Sequence, residues 1–223
     1  MVKLFYEYQN SNRQYSDNLT EYSALLNTIV LGTIKKVKRK ININKIKIVI
    51  KESVHPEKIK SLGGVGGYCP SGHYVQLDID VNNRQFIAFP KKIIEIVLIH
   101  ELHHALRNQA GIIISKSTFL ENLISEGLAD YFVWQVTGHW PLWIVPLPSK
   151  IKIMLFKKAQ EMFTKRISPK IYNDWFITGN KKKNIPRWAG YVIGLEIVMN
   201  YFKNNPLWTT KSLISIPVKE IKL

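Results

Sequence analysis

The sequence predicts an α+β fold: a small N-terminal sheet with a long helix beside it, followed by a mainly helical C-terminal half. Three observations predict it. Apolar and polar residues alternate over 41–50 and 74–80, the period of half-buried strands. After Asn82-Asn83 the apolar spacing changes to near 3.6 and stays helical for most of the remaining chain. Finally, 223 residues with 46% hydrophobic side chains suffice for one generous core, without repeats, low-complexity segments or a linker, so a single domain spanning 1–223 is expected.

In chain order, residues 2–8 read as a short strand. Leu19, Tyr22, Leu26, Ile29, Val30, Thr33 and Val37 then follow helical spacing, with Asp17 or Thr20 as the expected cap. Lys35 to Lys40 crowd the end of that helix, where cations suit its dipole. Ile41 to Ile50 reads as a strand with one buried face, and His55 to Gly72 as a loop containing Gly63-Gly64-Val65-Gly66-Gly67. Those glycines match neither a phosphate-binding loop nor a dinucleotide fingerprint. Tyr74 to Asp80 is the next strand. Pro90 suits a first helical position and Gly111 a stop signal, which bracket a helix at 91–109. Further helices are expected near 117–136, 149–165, 169–177 and 188–203, and His139 to Pro148, rich in Trp and Pro, reads as a structured loop.

Composition narrows the function classes. No apolar stretch approaches the roughly 20 residues that cross a bilayer, and the polar N-terminus does not read as a signal peptide, so a soluble, cytoplasmic protein is expected. Cys69 is the sole cysteine, which excludes an intrachain disulfide and a cysteine-based zinc knuckle. Thirty-two basic residues against 16 acidic ones give a net charge of +16, compatible with nucleic acid, an anionic membrane surface or an acidic partner. The bases are mostly Lys, spread along the chain, and no helix concentrates the Arg, Asn and Gln of a base-reading element, so a nucleic-acid role is the lesser expectation.

The segment that carries chemistry is His100-Glu101-Leu102-His103-His104, inside the helix at 91–109. His100 and His104 leave one helix face a turn apart, a spacing that lets both imidazoles reach one metal ion. Glu101 sits beside the first of them without being a ligand. Two nitrogens leave a tetrahedral zinc in need of a third protein ligand and an open position for water. Glu126, in Leu123-Ile124-Ser125-Glu126-Gly127-Leu128-Ala129-Asp130, is the candidate, because a carboxylate among apolar neighbours is costly unless partnered. Asp130, one turn on, can accept the N–H of a ligand histidine. His103 points away from this pair and reads as a core or groove residue.

These motifs, HELHHALR, SEGLADYF and RWAGYVIG (Arg187 to Gly194), resemble the gluzincin branch of the zinc metallopeptidases and, more narrowly, a bacterial family of predicted zinc-dependent proteases. The resemblance runs from about Gly63 to Tyr201. It implies a zincin-like fold with the active-site helix against the small sheet, and peptide-bond hydrolysis by a zinc-activated water. It makes His100, His104 and Glu126 the Zn2+ ligands, Glu101 the general base and Asp130 the group that orients His100. It also implies that Tyr74 to Asp80 is the edge strand that pairs with an extended peptide. A donor for the transition state is left to Tyr191, with Tyr131 as the other candidate. His73 and Cys69 neighbour the expected edge strand and read as structural, and the aromatic His139–Trp143 loop reads as a core plug ahead of a greasy cleft wall. Two other functions stay open: a regulator that cleaves one specific intracellular partner, and a basic nucleic-acid-binding protein with a non-catalytic metal site. Substrate, endo- or exo-cleavage and oligomeric state are not legible.

Overall fold

The computed structural model describes residues 2–7, 19, 21–43, 45–112 and 117–221; the expected caps Asp17 and Thr20 lie outside them. The chain is α+β and falls into two compact units, Met1–Gly111 with Gln135–His139, and Ile112–Trp134 with Trp140–Leu223.

The first unit holds a four-stranded sheet built from β1 (Val2–Glu7), β2 (Ile46–Glu52), β3 (Val65–Ser71) and β4 (Tyr74–Ile79) in the order β1-β2-β4-β3. β1, β2 and β4 run parallel, with Ile48 opposite Val75 and Ile50 opposite Leu77, while β3 pairs antiparallel with β4. Helix α1 (Ser23–Lys38) makes the crossover from β1 to β2 that a parallel pair requires. It buries Leu26, Ile29, Val30, Thr33 and Val37 of the predicted stripe, and Ile34 besides, while Tyr22 is only half-buried. In β4, Val75, Leu77 and Ile79 are wholly buried and alternate with half-exposed residues, as the sequence pattern requires. Helix α2 (Pro90–Gln109) packs on β3, β4 and α1.

Three expectations are corrected here. The segment 55–72 is not all loop, because Val65–Ser71 forms β3. Two glycines and Pro70 hide the strand from any alternation rule, yet Pro is admissible at a sheet edge, where no ladder donor is needed. Gly63 and Gly64, at φ 76° and 80°, turn the chain into it. β3, with β1 at the far side, is accordingly an edge of the sheet; Tyr74 to Ile79 is interior, bonded on both sides. The strand expected from Ile41 starts later, at Ile46, because Lys40 and Ile41 still donate to the Val37 carbonyl at the helix end.

The second unit is helical. It comprises most of α3 (Phe119–Thr137), then α4 (Ser149–Gln160) and α5 (Ala189–Asn204), with short turns at 169–177 and 181–183. α4 ends five residues before its expected end, in a run of turns through 161–164. α3 and α5 meet backbone to backbone: a Cβ on Gly127 would collide with the Gly194 carbonyl, and one on Gly194 with the Leu123 carbonyl. Phe119 packs edge-on to Trp175 at 5.0 Å between ring centroids, and a Cβ at Gly190 would strike the Phe176 ring at 2.5 Å. Among the described residues no helix is long and apolar enough to cross a membrane.

Candidate metal centre

Helix α2 presents the first half of the candidate set. His100 is buried and His104 half-buried, and their Nε2 atoms lie 3.0 Å apart with the rings nearly perpendicular, at 76°. Two nitrogens on a tetrahedral zinc stand about 3.3 Å apart, given bonds of about 2.0–2.1 Å. The imidazole pair therefore has the spacing of two ligands of one ion. His103, wholly buried with its ring 5.9 Å from that of His104, is absent from the metal-capable cluster.

Glu101, next to His100, lies against the edge strand. A Cβ at Gly67 would sit 2.5 Å from both Cγ and Oε1 of Glu101, so the carboxylate occupies the space that any larger residue on β3 would fill. Cys69, two residues on, feels both its burial and the Glu101 charge, which push its thiol up to about 12. It stays protonated, donates to the Ser71 carbonyl at 3.2 Å, and is neither ligand nor nucleophile at neutral pH. His73 is exposed and spends Nδ1 on the Lys45 carbonyl at 2.8 Å, a backbone tie rather than a site role.

In the second unit, α3 buries Glu126 and, one turn on, Asp130. The Trp143 indole N–H donates to Asp130 Oδ1 at 3.0 Å. Trp143 is the residue that sequence reasoning missed; its loop read only as aromatic packing, and no periodic signal marks a lone indole as a carboxylate partner. Tyr191 on α5 stands 5.7 Å from the Trp143 ring. Burial first, then the neighbouring Tyr172 and the carboxylates of Glu126 and Asp130, hold its phenol well above the usual tyrosine range. The phenol therefore stays protonated at neutral pH. Tyr131 instead stacks on Phe202 at 5.2 Å and leans on Trp134 at 5.5 Å, so its ring belongs to an aromatic stack.

His100, His104 and Glu126 each offer one ligand atom, and these atoms all lie within 4.8 Å of one another. Two imidazoles and a carboxylate form a donor set that suits zinc, with borderline-soft nitrogen and one hard oxygen.

A His, His, carboxylate cluster of this kind defines a candidate zinc-protein site. Residues 26–223 match the model of the family described as predicted Zn-dependent protease (DUF2268), and the chain belongs to that family. No curated protein and no solved structure matches the chain.

Proposed function

We propose that residues 1–223 form one zincin-like metallopeptidase domain of the gluzincin type, which hydrolyses peptide bonds in a protein or peptide substrate. The observation that carries the reading is the convergence of His100, His104 and Glu126 within 4.8 Å, next to Glu101. Zinc held by those three side chains supplies Lewis-acid polarisation of the scissile carbonyl and acidifies the attacking water. Glu101 is the general base. Its carboxylate accepts the proton of the attacking water and passes it to the leaving amine. The missing Cβ at Gly67 leaves free the space that this carboxylate occupies beside β3.

The extended substrate pairs along β3, the sheet edge beside Glu101, through main-chain hydrogen bonds. Tyr191, kept protonated by its surroundings, donates to the oxyanion as it develops. Asp130, with Oδ1 engaged by Trp143, directs its carboxylate toward the ligand His100 and fixes its tautomer. The test is peptide-library cleavage by wild type and by Glu101→Gln. The reading requires cleavage by the first alone, with zinc bound equally by both. Cleavage of comparable rate by both proteins contradicts it.

A further inference from the structure

The chain carries a net charge of +16, and the start of α2 gathers part of it around exposed apolar side chains. Where the short helix Arg84–Ala88 turns into α2, Ile87 and Phe89 stand 56% and 62% exposed. Phe89 and the exposed Lys91 and Lys92 line a groove of about 340 Å³ together with Glu95. Lys36 of α1 takes up Glu95 in an ion pair at 3.0 Å. That pair neutralises the acidic side chain of the groove.

We propose that this part of the first unit docks on an anionic lipid surface, with Ile87 and Phe89 entering the headgroup–acyl boundary and the surrounding cations facing lipid phosphates. Charge complementarity fixes the sign of the partner: the exposed Arg84, Lys91 and Lys92 are all positive. The exposed apolar pair separates lipid from nucleic acid. An aliphatic Ile87 has no base to stack on, whereas apolar insertion ringed by Lys is the chemistry of interfacial binding. The inference stands apart from the peptidase reading, since none of these residues belongs to the metal cluster.

The experiment is vesicle flotation of the full chain, using vesicles of phosphatidylcholine alone and of equal parts phosphatidylcholine and phosphatidylglycerol. The proteins are wild type, Ile87→Ser with Phe89→Ser, and Lys91→Gln with Lys92→Gln, each checked for unchanged far-ultraviolet circular dichroism. Wild type is expected to prefer the anionic vesicles by about tenfold, and each double variant to lose about tenfold of that binding. Absence of binding, equal binding to both vesicles, or wild-type binding by the Ser variant overturns the proposal. The last outcome would leave a charge-only attraction, and a DNA duplex bound equally by wild type and Ser variant would assign this part to nucleic acid instead.

Discussion

The side chain of Glu101 lies so close to the backbone of Gly67 that the edge strand has no room for a Cβ at that position. Gly67 is therefore a positioning residue for the proposed general base. In Gly67→Ala, Glu101 must swing away while His100 and His104 keep their places on α2. The expected result is unchanged zinc content with cleavage slowed about a hundredfold, the cost of a misplacement on the order of 1 Å. Metal analysis beside peptide-cleavage rates checks it, and loss of zinc in the variant would show that the strand positions the ligands instead.

Tyr191 should matter to turnover rather than to metal binding. Tyr191→Phe removes one O–H donor aimed at developing charge, for which a loss of about a hundredfold in kcat with little change in KM is expected. Because burial and the nearby carboxylates raise its phenol well above the usual range, the donor is retained as pH climbs past 10. An alkaline fall in activity near pH 10 that disappears in Tyr191→Phe would contradict this.

The Gly127–Gly194 contact sets how closely α3 approaches α5, and hence where Glu126 and Asp130 stand within the second unit. Gly127→Ala places a methyl against a carbonyl oxygen, which backbone atoms cannot relieve by a rotamer change. Destabilisation of about 3 kcal/mol is expected in urea unfolding. A loss under about 0.5 kcal/mol, the range of an ordinary surface change, would show that the helices part at little cost.

Cys69 carries a pH signature. Its thiol is raised from 9.0 to about 12, by burial and then by Glu101, so the folded protein favours the protonated form. The stability this gives is complete below pH 9 and is lost as pH rises toward 12, where both folded and unfolded thiols ionise. Alkylation at pH 8 should be far slower in the native protein than in urea, and Cys69→Ser should lose less stability than wild type between pH 7 and pH 10. Rapid native alkylation at pH 8 would overturn the assignment.

Much of the fold and half of the candidate site can be read from the sequence for simple reasons. His100 and His104 share a helix, and a helix with Pro90 at its start and a continuous apolar face is legible from its period alone. β4 is legible because Val75, Leu77 and Ile79 alternate without a break. β3 is not, because the property that brings it beside Glu101, the bare backbone of Gly66-Gly67, removes the side chains that would reveal a strand. Mistaking β4 for the sheet edge follows from that omission. Trp143 escapes for another reason: its bond to Asp130 joins residues of different elements, and no local pattern encodes such a meeting.

The central claim is that His100, His104 and Glu126 hold one zinc ion, and the most direct measurement is zinc stoichiometry by mass spectrometry after exhaustive dialysis. Wild type, His100→Ala, Glu126→Gln and Glu101→Gln are compared. The account predicts near-stoichiometric zinc in wild type and in Glu101→Gln, and loss of it in His100→Ala and Glu126→Gln. Zinc retained at full stoichiometry in His100→Ala and Glu126→Gln, or absent from wild type after reconstitution, would contradict it.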